Sequence, residues 1–279
     1  MQQKLGLILL LIFNFSIGFS QSKIEKSESS LKKQNSKASN STKIGHNLSN
    51  NNDTFGEMLL IETFGRLAID VIAYSVYGIL VEMPFERDSP SSSAILTKRP
   101  YSNSNRGNYS YDLNDYSAVA RTTVLSKYIF ENTQLDGHHL NVDIRFYNRL
   151  ALELDYLQLW ENNPNFGYET LAIYTALIKY HRIRTRQFDG WWGLGASYVD
   201  GNVDDFGFSL GFGAEIFLGK PISIETNYNQ TFINNSSISK FNVLLNYYMR
   251  QFKLNGGYQF LKIGDQRFKT PTIGLGISF

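Results

Sequence analysis

The sequence predicts an all-β fold, a ten-stranded antiparallel transmembrane β-barrel preceded by an amphipathic N-terminal helix. Three observations predict it. From about Ser117 onward, ten runs alternate residue by residue between large apolar side chains and small or polar ones, with turn-like clusters between them. The side of these runs that is not apolar carries charges and glycines, which a lipid-facing or solvent-facing surface does not call for. The last ten residues, TPTIGLGISF, keep up the same alternation to a final Phe279.

Composition narrows the classes. The chain has 279 residues, 42% hydrophobic and 14% aromatic, with 17 Tyr and 20 Phe. Mean hydropathy is only -0.25, as expected if one strand face in two is apolar. A formal net charge of +2 gives no basis for a nucleic-acid partner. The chain has no cysteine, which excludes disulfides, thiolate metal sites, a Cys nucleophile and lipidation of an N-terminal cysteine. Neither metal-ligand spacing nor a phosphate-binding glycine loop occurs, so no cofactor is expected; GLGASY and GFGAEI fall within strands.

The elements follow in chain order. Residues 1–20 have a lysine, an apolar run from Leu5 to Phe13 and small residues at Gly18 and Ser20, the layout of a signal peptide. Residues 21–53 are dominated by Ser, Asn and Lys and read as a disordered tether, short of apolar surface to offset ordering. Residues 54–83 predict an amphipathic helix: Thr54 and Glu57 form a capping box, Pro84 is a stop, and Glu62, Arg66 and Asp70 recur on one face. Residues 84–115 return to Ser, Asn, Asp and Pro and predict a linker.

The barrel, 116–279, is expected to contain strands near 117–130, 138–148, 151–160, 168–184, 190–199, 205–218, 222–233, 240–250, 253–263 and 271–279. In the second, Leu140, Val142, Ile144 and Phe146 face lipid while Asn141, Asp143 and Arg145 face the lumen. The sixth sets Phe206, Phe208, Phe212 and Ile216 outward, and the eighth Phe241, Val243, Leu245 and Met249. The strand 168–184 shows no clear alternation, leaving the faces of Lys179 and His181 open. Aromatics near strand ends, among them Tyr128, Trp160, Trp191, Trp192, Tyr198 and Phe241, are expected to form the two interfacial girdles. Connections near Asn148, Gly219 and Gln251 read as short, with a longer one near Thr185 to Asp189 on the same side, while ENTQLDG, ENNPNFG, DGNVDD, NNSSIS and GDQRF read as longer loops. On that asymmetry both ends of the barrel chain, with the tether and helix, fall in the periplasm.

With Ile273, Leu275, Ile277 and Phe279 turned to lipid, the closing segment resembles the terminal strand of small Gram-negative outer-membrane β-barrels. That resemblance implies residence in the outer membrane, outer-membrane lipid as surroundings, and a closing aromatic that is part of the signal read by the barrel-insertion machinery. It implies no function.

The inward charges are the candidate site: Arg121, Asp143, Arg145, Glu153, Asp155, Glu215 and Glu225. With Asn148–Leu150 as a turn, Arg145 is expected opposite Glu153 and Asp143 opposite Asp155. With Gly219–Pro221 as another, Glu215 is expected opposite Glu225. The like-charged pairs require cations or shared protons. This set reads as an ion-pair plug in a narrow bore, giving a noncatalytic barrel in envelope organisation or surface contact. A narrow pore for ions or small solutes is the alternative. A surface hydrolase is a third, since omptin-type proteases have ten strands with Asp and His at the extracellular end and lipid A deacylases carry a Ser/His pair on the outer face. His138 and His139, beside Asp136, stand at the matching height.

Overall fold

The computed structural model describes residues 22–32, 78, 93–102, 107–111, 120–146, 149–163 and 167–279. The expected signal peptide lies outside these residues, as does the helix 54–83 apart from Gly78, whose carbonyl accepts from Arg182 Nη2 at 2.6 Å. In chain order come α1 (Lys23–Leu31), the short strands β1 (Ile95–Leu96) and β2 (Tyr109–Ser110), then β3 (Ala120–Phe130), β4 (Leu135–Phe146), β5 (Leu150–Asn163) and β6 (Gly167–Arg184). They are followed by β7 (Phe188–Asp200), β8 (Asp205–Gly219), β9 (Ile222–Ile233), β10 (Ser236–Met249), β11 (Phe252–Ile263) and β12 (Gln266–Ser278).

Strands β3 to β12 form one closed barrel, each antiparallel to the next, and β12 returns to β3 through Leu275↔Ser126 and Ile277↔Val124. Closure leaves no edge, the condition for a sheet to stand in lipid. The alternation decides what lies outside. Phe206, Ile273 and Leu275 are 71%, 64% and 65% exposed, while Ser209, Asn246 and Gln259 on the opposite face are fully buried. A surface this apolar has no aqueous counterpart among monomers. The eight steps from Phe241 to Met249, at ~3.3 Å each and tilted ~40°, give an apolar band about 20 Å high. The fold is a transmembrane barrel.

Two ends are distinguished. At the near end β3 begins and β12 finishes; the other is the far end. The connections are short at both: 147–149, 185–187, 220–221 and 250–251 at the near end, and 131–134, 164–166, 201–204, 234–235 and 264–265 at the far end. The expected asymmetry in loop length is therefore absent. Polar side chains near water did not end the strands: Ser236 pairs Ile233 and Gln266 pairs Ile263, and only left-handed residues, Asn234 (φ 52°) and Gly264 (φ 56°), mark the turns.

Two further expectations are corrected, and one face left open is assigned. The β4–β5 turn is centred one residue earlier, with Phe146 opposite Leu150, so Asp143 faces Glu153, Arg145 faces Ala151 and Asn141 faces Asp155. Trp191 points into the lumen, not into a girdle. Its ring reaches across to β8, where a Cβ on Gly213 would lie 2.5 Å from the indole, so glycine there makes room for it. In β6, Lys179 and His181 both face inward, ahead of a bulge between His181 and Ile183.

Helix α1 occupies part of the stretch read as a disordered tether. Nine residues form no stable helix in water; tertiary burial supplies what propensity does not. Ile24, Ser27, Glu28 and Leu31 recur at helical spacing and are all buried, against Leu135, Leu159, Leu171, Val199, Ile263 and Phe268 at the far end of the lumen. The lumen face is thus apolar in this layer. Residues 22–32 sit on the opposite side of the barrel from Ala120 and Phe279, where the sequence reading put them together.

Candidate functional site

The lumen is built in three storeys. The far storey is α1. Ser22 caps its N-terminus, accepting from the Glu25 amide at 3.2 Å, and its hydroxyl lies 2.9 Å from Glu161 and 2.7 Å from Glu169. The Ile24 amide donates to the same Glu161 carboxylate at 3.0 Å, which places negative charge at the positive end of the helix. Lys23 meets Glu131 at 2.6 Å. Burial pushes the Glu131 carboxyl above its ordinary range, and Lys23 opposes that shift. Glu28 accepts from the backbone (2.7 Å) and side chain (2.6 Å) of Asn202, and Asn234 Nδ2 caps the last turn at the Leu31 carbonyl (2.8 Å). Partners thus come from β5, β6 and three far-end connections.

The near storey is the ribbon β1–β2. Its Asn108 donates to Asp189 at 2.6 Å and accepts from Arg121 Nη2 at 2.9 Å, while Arg121 Nη1 also reaches the Thr97 carbonyl. Tyr101 packs edge-on against Phe217 and Tyr248 and donates to the Ile222 carbonyl at 2.5 Å. Tyr109 is buried, which pushes its phenol well up. The linker region therefore contributes ordered structure inside the near mouth.

Between them lies the charged storey. Asp143 and Glu153 stand opposite each other, and Lys179 bonds both, Glu153 at 2.8 Å. Arg145 joins Asp143 (3.3 Å) to Asp189 (2.6 Å), and His181 Nδ1 takes the other Asp189 oxygen at 2.7 Å. Asp155 lies between His139 and Lys240. Glu215 and Glu225 stand opposite each other on β8 and β9. Glu225 takes Lys253 at 3.0 Å and Asn246 at 3.0 Å, whereas Glu215 takes the hydroxyls of Ser223 (2.5 Å) and Tyr248. The sequence reading named six of these charges, with Arg121 of the near storey as a seventh, and missed Asp189, which it placed in a turn, Lys240, the inward face of His139, and the buried Lys127 on β3. Alternation alone carries Lys240 and His139 inward with Asn242 and Asn141.

What remains open is a polar cavity of about 80 Å³, bordered by Lys127, His139, Asp155, Glu225, Asn242 and Lys253. It has room for about five waters at ~15 Å³ each. Among the described residues no group of three or more His, Asp or Glu is placed to hold a metal ion. The insertion-signal candidates Ile273, Leu275 and Phe279 are exposed on the outer face, with Ile277 half-buried against β3. The adjacent histidines diverge: His139 faces the lumen, while His138 faces outward with Nε2 2.8 Å from Ser126 Oγ. Asp136 takes the Tyr128 hydroxyl at 2.6 Å instead of orienting that ring.

No protein-family model and no curated protein sequence matches the chain. Solved structures do. The outer membrane protein OprG from Pseudomonas aeruginosa is similar at 13% identity over 60% of this chain and 99% of its own, with a TM-score of 0.33. The COG4313 outer membrane channel from Pseudomonas putida F1 is similar at 10% identity over 60% and 99%, TM-score 0.38. Ail from Yersinia pestis is similar at 11% over 57% and 99%, TM-score 0.33. At these identities and TM-scores no role transfers to this chain.

Proposed function

We propose that the protein is an integral outer-membrane barrel that does not conduct at rest and serves, without catalysis, in envelope organisation or surface contact. The observation that carries this reading is the double stopper. Among the described residues, helix α1 fills the far mouth, the β1–β2 ribbon fills the near mouth, and the charged storey between them leaves small cavities in place of a channel. Most of its ionic side chains are spent on one another, with Glu215 held by hydroxyls and Lys127 left facing the cavity. The closing residues Ile273, Leu275, Ile277 and Phe279 fit the role of insertion signal for the assembly machinery. Planar-bilayer recording tests the reading: the intact protein is silent. Steady, ion-selective steps that vanish in Glu215→Gln or Glu225→Gln would instead establish the narrow pore.

A surface hydrolase has one observation in its favour, the exposed Ser126–His138 hydrogen bond, a nucleophile beside a base. Among the described residues nothing bonds the second ring nitrogen of His138, so the pair lacks the orienting group that such chemistry uses. Release of fatty acid from vesicles, abolished by Ser126→Ala and by His138→Ala alike, would promote this reading over the first.

A further inference from the structure

On the outer face of the β11–β12 hairpin, at its far end, three cations stand together. Lys262 and Arg267 are directly opposite in the ladder, and Lys269 is the next outward residue after Arg267. All three are exposed, and among the described residues their side chains form no ion pair or hydrogen bond, although the Lys269 backbone N–H reaches Glu131. The one carboxylate of the hairpin, Asp265 at its tip, does not pair with them. Like charges directly opposite on one sheet face, ~5 Å apart at Cβ, repel, and an anion held between them relieves that repulsion.

The row beneath fixes where that anion sits. In the ladder, Tyr228, Phe241, Phe260 and Lys269 occupy one outward row, and Gln230, Ser239, Lys262 and Arg267 occupy the next one toward the far end. Phe260 stacks with Phe241 at 6.1 Å and with Tyr258 at 6.5 Å between ring centroids. Polar tips gather at this height: Tyr228 donates to Gln230, and Ser239 donates to Gln230 at 2.7 Å. An aromatic row surmounted by hydroxyl, carboxamide and cation is the profile of a barrel passing from acyl chains to headgroups. A ligand here meets hydrocarbon below and positive charge above, and a guanidinium with two ammonium groups matches the oxygens of a phosphate.

We infer that Lys262, Arg267 and Lys269 form a binding site for the phosphate of a membrane-lipid headgroup, whose acyl chains lie along Tyr258, Phe260 and Phe241. The site rests on the membrane-spanning reading of the barrel but not on whether the lumen conducts.

The test uses the full chain in neutral-detergent micelles, with phosphatidic acid against phosphatidylcholine as probes and native mass spectrometry as readout. The intact protein retains phosphatidic acid in preference, and each cation removed lowers that preference about fivefold. Lys262→Gln/Arg267→Gln/Lys269→Gln abolishes it, while Lys220→Gln/Arg250→Gln, which removes exposed charge from the near end, leaves it intact. Lys269→Gln alone provides the milder variant if the triple one fails the heat-modifiable gel shift that reports a closed barrel. Retained preference in the folded triple variant, or equal loss in the near-end control, overturns the site. Displacement of the lipid by inorganic phosphate at equal concentration overturns the lipid as its ligand. A chain soluble without detergent would sink the membrane reading itself, a different outcome from lipid indifference in a closed barrel.

Discussion

Leu31→Ala tests whether α1 is a stopper held by its own contacts. Leu31 has no exposed surface and sits in the far apolar layer, so truncation costs about 2–5 kcal/mol where the socket does not collapse. The barrel ladders run between strands and owe nothing to α1, so the loss falls on docking of the helix and leaves barrel closure intact. At 1.4 kcal/mol per tenfold, the docked-to-undocked ratio falls by a factor of about 30 to 4,000. A chain without cysteine offers a clean assay. Ser197 lies beneath the helix, hydrogen-bonded with Thr175 (2.7 Å), Ser209 (2.7 Å) and Thr231 (2.9 Å), and Ser197→Cys is close to isosteric. A polar thiol reagent added to the folded barrel reaches that position only when α1 leaves. Labelling is therefore slow in Ser197→Cys and accelerates by the stated factor when Leu31→Ala is added. Equal rates in both backgrounds would refute the claim that α1 closes the far mouth.

Other outcomes follow from the same contacts. Lys179→Met leaves Asp143 and Glu153 facing each other without their shared cation and destabilises the barrel by about 3–5 kcal/mol in urea unfolding from lipid vesicles; adding Glu153→Gln recovers part of that. Asn234→Gly removes the cap on the Leu31 carbonyl and weakens α1 by about 1 kcal/mol, whereas Asn234→Ala costs more because the site has φ 52°, both read by the thiol assay. Burial pushes the Tyr101 phenol from 10.0 up to about 12. The folded state therefore holds this proton where the unfolded chain has lost it, so the contribution of Tyr101 is complete below pH 10 and falls as pH rises through about 12. Tyr101→Phe removes that alkaline slope from melting temperatures taken against pH.

The parts of this fold that were legible depend on nearest neighbours in sequence. Alternation in β4, β8 and β10 is a local property of a pleated strand, and it assigned Asp143, Glu215 and Asn246 to the lumen. β6 was illegible because both of its faces are apolar: Leu171, Ile173 and Leu177 are buried inside the barrel while Ile178 points to lipid. Helix α1 left almost no trace, since its two apolar anchors, Ile24 and Leu31, stand in a Ser- and Lys-rich stretch and their socket is assembled from distant strands. Asp189 was lost to a boundary error of one or two residues, yet it joins Arg145, His181 and the ribbon. The β4–β5 register was missed by the same margin, enough to change which charges face each other.

The inward position of Glu153 and Asp155 also bears on how strands find their partners. Sliding β5 by one place along β4 would turn both carboxylates into the acyl chains and bring Leu154 and Tyr156 inside. Each misplaced carboxylate near the bilayer centre is penalised by on the order of 1–2 kcal/mol, so slipped hairpins are disfavoured by the solvent they would have to enter. The ionic interior thereby proofreads assembly, a service it renders whether or not anything ever passes through it.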